Sequence, residues 1–559
     1  MDYEEASIEY QRRFMRWWHS KKRDILYSWK KKKNTVFKWF AHSQVSLWYD
    51  RVRRRPPIYH EHRNLPKITL SALAETGREE LTIPVLKQRS YTDNQPVISS
   101  ALADTLCGDL GIDGVLEKFN TTLGTSYSLG SKDLCHLGKT TLSSILEPFV
   151  TRNDDFGTVY AHLRRCWYAS DATGIKNALC SGEEEDRKMR AEVLIHDRIK
   201  TWSVLPRRVW DLYANRVVPY WVTTRNLYKT RLSHAWAISH AWVDESERDA
   251  NLDLIRIEML NVGAQYAWLD VLCLRQEGGK SEHLRLEEWK LDVPTIGWVY
   301  RSAPGVLCYF NGLGQPLHLT PDYFKSDRCW FRRAWTLQEI TDVPFMGGET
   351  GDEVVENAVR KTFDEQLARL RQTRKRLSAI EYVSEMQNRV SSNSLDKVAG
   401  LAYLFTPDSI PIYDAEMSAM DAWEVLMDTR GSECRAEFFF YCPETGTTNC
   451  WRPSWQQVMR LKTLLWSSML EPLPYSVGVR FSVSWVGKIY KTEDTDEDWY
   501  EGYCIHSADV RGLDEGLKEG KRRQGEMFFK NTAGVSCTFK IFADHVYPIP
   551  DGSYALLAS

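Results

Sequence analysis

The stretch Tyr266-Ala267-Trp268-Leu269-Asp270-Val271-Leu272-Cys273-Leu274 decides the fold, because it is a near-continuous apolar run that only Asp270 interrupts. A strand of a parallel sheet that helices cover on both faces must be apolar on both faces. The run therefore predicts a buried strand of such a sheet, with one carboxylate placed inside it.

Short apolar runs alternate with helical stretches on both sides of this strand, from about residue 232 to residue 346. Strands that alternate with helices form right-handed βαβ units and a parallel sheet. We therefore predict an α/β fold, with a parallel sheet and flanking helices. The other strands are predicted at 236–239, 305–310 and 343–346, and the helices at 249–262, 287–300 (with Pro294 tolerated as a kink) and 328–340.

Changes of composition divide the chain into five predicted regions. These are a basic aromatic arm (1–60), a mixed N-terminal region (61–230), the α/β domain (231–350), a charged helical region (351–432) and a β-rich C-terminal region (433–559). In the second region, residues 65–182 are predicted to be irregular with short helical patches, and Gly182–Arg187 to be an acidic loop. The β-rich prediction depends on aromatic and β-branched runs such as Phe438–Cys442.

The N-terminal arm concentrates positive charge, with fifteen Lys and Arg residues between Gln11 and His60 and a run at Lys30–Lys33. Aromatic residues such as Trp17 and Trp18 are interleaved with them. One interpretation is an amphipathic arm that binds an anionic membrane or a nucleic acid. The alternative is a terminal helix whose aromatic side chains pack on the protein while its lysines are solvated.

Composition restricts the class of protein. Hydrophobic residues make up 43% and charged residues 26% of the 559, which excludes wholesale disorder and a coiled-coil rod. No apolar run approaches the ~18 residues of a membrane span, and we read no signal peptide at the N-terminus. Twelve cysteines in a chain of this length fit a reducing compartment, so we expect a cytoplasmic protein. The spacing of Cys434, Cys442 and Cys450 argues against a zinc site, and we expect no metal.

Several polar residues fall at the predicted carboxyl ends of strands, where open parallel sheets bind their ligands. Ser239, His240 and Trp242 end one strand, and Gln276 begins the loop after another. These four, with Asp270, are candidate ligand-binding residues. A buried carboxylate needs a partner, so Asp270 is equally consistent with a structural pairing to Arg332 or Arg333.

Two further candidates, Trp335 and Glu339, lie in the stretch Cys329-Trp330-Phe331-Arg332-Arg333-Ala334-Trp335-Thr336-Leu337-Gln338-Glu339. On a helix, Trp330 and Leu337 would face the core, and Trp335 would lie one turn from Glu339 on another face. An indole beside a carboxylate offers a stacking wall and a charge to a nucleotide or sugar. The alternative is a helix that ends in an ordinary solvated glutamate.

Four motifs in order resemble the fungal heterokaryon-incompatibility (HET) domain, over roughly residues 232–340. They are the strand ending in Ser239-His240-Ala241-Trp242, the segment Trp268-Leu269-Asp270 to Gln276, Glu288 followed by Val299-Tyr300, and Arg333-Ala334-Trp335-Thr336-Leu337-Gln338-Glu339. The sequence departs from the usual pattern where Leu274-Arg275 replaces Ile-Asn before Gln276, and where Gly278–Glu282 lengthens the following loop.

The HET domain is similar in fold to TIR domains, so the resemblance implies a TIR-like (flavodoxin-like) sheet. Many TIR domains cleave NAD⁺ with a glutamate four residues after a tryptophan, which makes Glu339 the catalytic candidate and Trp335 a binding candidate. NAD⁺ would be a substrate, and no resident cofactor is expected. The resemblance implies a role in fungal non-self recognition and regulated cell death, with self-association and a non-self protein partner. The alternative is a non-catalytic module that only self-associates and signals.

Overall fold

A computed structural model of the chain describes residues 65–130, 141–168, 172–224, 235–241, 250–318, 322–341, 344–376, 379–405, 409–441, 453–460, 488–491, 498–515, 523–530, 534, 536–543 and 548–558. These residues belong to one unit, Leu65–Ser559. The predicted basic arm lies outside them, as do Trp242 and residue 343 of a predicted strand. Within the described ranges, no helix is both long enough and apolar enough to cross a membrane.

The described elements alternate between helix and strand over much of the chain. The strands are β1 Ile68–Ser71, β2 Ser90–Asp93, β3 Leu194–Ile195, β4 Arg198–Ile199, β5 Arg208–Asp211, β6 Arg216–Pro219, β7 Ala235–His240, β8 Tyr266–Trp268, β9 Val306–Tyr309, β10 Pro344–Met346, β11 Ile410–Pro411, β12 Lys488–Lys491, β13 Asp498–Glu501, β14 Tyr503–Arg511, β15 Arg523–Lys530, β16 Ser536–Ala543 and β17 Gly552–Ala558. The α-helices are α1 Ala72–Thr76, α2 Ser100–Ala103, α3 Cys107–Leu123, α4 Leu142–Thr151, α5 Phe156–Leu163, α6 Ala172–Val193, α7 Leu252–Asn261, α8 Asp270–Cys273, α9 Arg285–Asp292, α10 Ile296–Ser302, α11 Thr336–Glu339, α12 Glu353–Arg376, α13 Ala379–Gln387, α14 Ser394–Leu404, α15 Ala419–Asp428, α16 Ser432–Tyr441 and α17 Trp455–Arg460.

The largest sheet has six strands in the order β10-β9-β7-β8-β5-β6. Strands β7, β8, β9 and β10 run parallel to one another, so the α/β class is confirmed. The sheet is mixed rather than parallel throughout, because the hairpin of β5 and β6 joins the edge of β8 in antiparallel orientation. That hairpin comes from residues 208–219, so the sheet extends across the predicted boundary at residue 230.

The sheet separates two apolar cores. Along β9, Val306 and Cys308 point into one core, whereas Leu307 and Tyr309 point into the other. All four side chains are buried. Successive residues of a strand point to opposite faces, so this pattern shows that the sheet is covered on both sides, as the apolar runs predict.

Before residue 328, two predicted elements of the α/β region are wrong in their extent. The run at 266–274 is a strand only to Trp268, and Asp270 then opens helix α8. The predicted helix at 287–300 is two helices, α9 and α10. Pro294 follows the end of α9, and its missing N–H and its ring stop the helix instead of kinking it.

The described residues between 65 and 193 are more helical than the sequence predicts. Gly182–Arg187 is part of helix α6 and not a loop. Its acidic residues pair with arginines three or four positions later, since Arg187 contacts Glu184 at 2.8 Å and Arg190 contacts Asp186 at 3.0 Å. Such pairs stabilise a helix, which explains why a charge cluster is helical here.

The C-terminal region begins with helices. The predicted β run at 438–442 lies mostly in α16, where Phe438 is fully buried against Trp423 at 5.3 Å between ring centroids. The strands follow later, as the hairpin of β12 and β13 and an antiparallel sheet in the order β16-β15-β14-β17. Aromatic content alone does not distinguish a buried helix from a strand.

Candidate functional site

The candidate site lies where the order of the parallel strands reverses. From β7 the chain places β8 on one side and then β9 on the other. At such a reversal the two crossover connections diverge and leave a crevice at the carboxyl ends of the strands. The last residues of β7 are Ser239 and His240, so the structure places both at this crevice end.

Ser239 joins three elements of the site. Its side chain is fully buried, its hydroxyl donates to the Glu339 carboxylate, and it accepts a hydrogen bond of 2.7 Å from the Trp330 indole N–H. A buried hydroxyl needs both kinds of partner. This arrangement fixes the hydroxyl on the Glu339 carboxylate.

Glu339 is the buried acid of the site, with 5% of its surface exposed. Burial raises the pKa of its carboxyl above the ordinary value, and Arg333 and the Ser239 hydrogen bond only partly oppose this. Asp270 raises it further by charge repulsion. Burial with incomplete compensation is typical of carboxyl groups that exchange protons or stabilise charge.

His240 and Asp270 form a hydrogen-bonded pair. The His240 Nε2 lies 3.0 Å from the Asp270 Oδ1, and its Nδ1 lies 3.0 Å from the carbonyl oxygen of Ala241. Burial opposes ionisation of Asp270, but His240 and then Arg333 outweigh it and lower the pKa of that carboxyl to about 2. Asp270 is therefore a fixed negative charge, with 30% of its side chain exposed at the edge of the site.

Of the two arginines predicted as partners of Asp270, Arg333 serves the site. Its guanidinium donates to the backbone carbonyl of His240, and its charge lowers the pKa of Asp270. Arg332 faces elsewhere, donating to the carbonyl of Lys325 at 2.6 Å and pairing with Asp327 at 3.0 Å. The buried Arg333 thus stands among Asp270, His240 and Glu339.

The segment from Trp330 to Glu339 is not the continuous helix that the sequence predicts. A 3₁₀ turn covers Trp330–Arg332, Arg333 is extended, and α11 is one turn at Thr336–Glu339. The cause is a β-bridge between Arg333 and Val390, in which the Ala334 N–H donates to the Val390 carbonyl at 2.9 Å. The chain there pairs with a distant segment, so it cannot make helical hydrogen bonds.

Trp335 and Gln276 have other immediate partners. The Trp335 side chain faces Asp396 on α14, which accepts a hydrogen bond of 3.0 Å from the Tyr413 hydroxyl. Gln276 is exposed and donates to the backbone carbonyl of Asp270 at 3.2 Å. The structure thus brings together Ser239, His240, Asp270 and Glu339, while Trp335 and Gln276 lie at its borders.

Gln338 is a residue of the site that sequence reasoning missed. Its side chain is 1% exposed, and among the described residues neither polar atom of its amide has a hydrogen-bond partner. An unpaired buried polar group costs about 1–3 kcal/mol. The sequence signals for Gln338 were its place before Glu339 and its position in the Arg333–Glu339 motif. The amide is available to a ligand or to a different packing of α11.

No cluster of His, Cys, Asp and Glu in the described part of the chain is arranged to hold a metal ion. The site is a buried serine and glutamate beside a partly exposed histidine–aspartate pair, with one arginine between them.

No family model, no curated protein and no solved structure matches this chain.

Proposed function

We propose that this chain is a HET-type protein of fungal non-self recognition and regulated cell death, and that its α/β unit cleaves NAD⁺ at the nicotinamide–ribose bond. The observation that carries the proposal is the buried Glu339 carboxyl, which meets Ser239 at the carboxyl end of a central strand. The four parallel strands follow one another in the flavodoxin-like order 2-1-3-4, which supports the TIR-like part of the proposal.

In this mechanism Glu339 stabilises positive charge on the ribose. As the bond from the ribose carbon to nicotinamide breaks, its electron pair goes to the pyridinium nitrogen and positive charge develops on the ribose. An ionised Glu339 stabilises that charge, and a preorganised carboxylate in a dry site does so strongly. Water then attacks the ribose carbon and Glu339 accepts the proton, giving ADP-ribose and nicotinamide.

Access to Glu339 requires a rearrangement. The carboxyl is 5% exposed in the form described, so a ribose reaches it only after α11 or its cover moves. The unpaired amide of Gln338 favours such a movement, because a rearranged segment or a bound ligand would satisfy it. We propose that self-association triggers this opening.

A second candidate function is a non-catalytic module that self-associates and signals. The burial of Glu339 also favours this function, as does the position of Trp335 beside Asp396 on α14. In this alternative the Ser239–Glu339 contact only stabilises the fold.

The test is release of nicotinamide from NAD⁺ by the purified full-length chain over a range of protein concentrations. The enzyme proposal predicts turnover that rises more steeply than in proportion to protein, because assembly opens the site. Absence of turnover at every concentration, together with cell death on overexpression, would leave the signalling module as the function.

A further inference from the structure

A cavity of about 440 Å³ lies between helices α14 and α15, outside the Ser239–Glu339 site. Its size is within the range of small-molecule sites, which are mostly apolar with a few polar groups. The wall is built mainly from aliphatic side chains of the two helices and of the segment that joins them. The apolar lining residues are Pro294, Leu395, Val398, Ala399, Ala402, Pro411, Ile412, Met417, Ala422, Val425 and Leu426.

The polar residues of the cavity carry an excess of negative charge. Lys290, Asp197 and Asp414 line it. The ammonium of Lys290 already pairs with Glu287 at 2.7 Å, and this contact, followed by the charges of Asp197 and Asp414, raises its pKa. Two carboxylates therefore remain beyond that pair.

The charge of Lys290 acts on both carboxylates, but neither of them forms an ion pair of its own with a described residue. Asp414 accepts a hydrogen bond of 3.1 Å from the backbone N–H of Glu416, which leaves its second oxygen available. No hydrogen bond or ion pair joins the Asp197 carboxylate to another described residue, and its backbone is in the left-handed region with φ of 57°. Lys290 supplies one positive charge against the carboxylates of Glu287, Asp197 and Asp414. The rim over the apolar cavity therefore stays net negative and selects a cation with an apolar body.

We propose that this cavity binds a small organic ammonium ion, whose hydrocarbon part fills the space between α14 and α15 and whose ammonium meets Asp197 and Asp414. Burying the hydrocarbon part supplies the affinity. Charge-assisted hydrogen bonds to the two carboxylates supply the selectivity for a cation. The proposal is independent of NAD⁺ cleavage.

The test compares three probes of equal chain length, octylammonium, octanoate and 1-octanol, by calorimetric titration of the full chain at neutral pH. Octylammonium should bind at least tenfold more tightly than octanoate or 1-octanol. Asp197→Asn with Asp414→Asn keeps the shape of both side chains, and should reduce that preference to less than about threefold.

Two further variants test the location. Ala399→Phe and Val425→Phe fill the cavity from opposite helices, and each should weaken octylammonium binding at least tenfold. Met420→Phe is the control, because Met420 is 40% exposed on α15 and does not line the cavity. Equal or tighter binding of octanoate or 1-octanol would overturn the proposal. Unchanged octylammonium binding in both folded cavity-filling variants would also overturn it.

Discussion

Glu288 and Glu339 flank the same sheet, and their surroundings shift the pKa values of the two carboxyl groups in opposite directions. Glu288 on α9 receives hydrogen bonds of 2.7 Å from Arg208 and 2.9 Å from Arg275, and these lower its pKa to about 2 although burial opposes them. For Glu339, burial raises the pKa and outweighs the opposing charges of Arg333 and His240. The difference separates a neutralised structural acid, Glu288, from the acid that we propose as catalytic, Glu339.

The comparison also explains the departure at Arg275. Where the HET pattern has asparagine, this chain has an arginine that holds Glu288 and donates to the Lys280 carbonyl at 2.6 Å. The guanidinium therefore orders the lengthened loop and joins it to α9. Arg275 strengthens the structural role of Glu288 and does not contribute to the Glu339 side of the sheet.

The largest expected effect is on NAD⁺ cleavage. In the proposed mechanism, Glu339→Gln keeps the shape of the side chain but removes the charge that stabilises the ribose cation. It should therefore lower the rate of nicotinamide release by two to three orders of magnitude, roughly 3–4 kcal/mol. Glu288→Gln should keep most of the activity per folded molecule. If Glu288→Gln lowered the rate of nicotinamide release more than Glu339→Gln, Glu339 would not be the catalytic residue.

Glu288→Gln should instead destabilise the fold, by roughly 3 kcal/mol, because it leaves Arg208 and Arg275 without their shared carboxylate. Urea unfolding followed by circular dichroism measures this. Glu287→Gln is a matched control on the same helix, with a largely exposed side chain, and should change the free energy of unfolding by less than about 0.5 kcal/mol. Equal stability of the two variants would contradict the structural role of Glu288.

Asp270→Asn should lower the free energy of unfolding by roughly 2 kcal/mol, since it removes the counter-charge of His240 and Arg333. Glu339→Gln should leave stability unchanged or slightly raised at pH 7, because it removes a buried carboxyl whose ionised form is unfavourable. Melting temperatures of the two variants, measured side by side, test this ranking. A lower value for Glu339→Gln would reverse it.

The smallest effect is a difference in pH dependence. The folded pKa of Glu288 is depressed from 4.5 to about 2, so its stabilisation is present above the ordinary pKa and is lost as the pH falls to about 2. The pKa shift of Glu339 has the opposite sign. Its folded pKa is raised, so its stabilisation is present below the ordinary pKa and is lost as the pH rises through the folded pKa. Glu288→Gln should therefore flatten the loss of stability in acid, and Glu339→Gln the loss above pH 4.5. Unfolding midpoints from pH 2 to pH 7 measure both slopes.

Sequence reasoning predicted the α/β class and the clustering of Ser239, His240 and Asp270 because both depend on local pattern. Apolar runs mark buried strands, and strand ends mark the crevice. It failed where distant segments compete with local propensity. The bridge to Val390 breaks the predicted helix before Glu339, and the hairpin at 208–219 makes the sheet mixed. Neither pairing leaves a signal in the segment that it changes.

The bridge between Arg333 and Val390 has a consequence for how this architecture could be inherited. Arg389, next to Val390, is buried and donates 2.8 Å hydrogen bonds to the Arg333 carbonyl and to the Thr336 hydroxyl. A recombination event that moved only residues 231–350 into another gene would remove the Arg389 donor from both acceptors, and would remove Asp396 from Trp335. The smallest portion of the chain that keeps these contacts together therefore extends back to the hairpin at residue 208 and forward through helix α14.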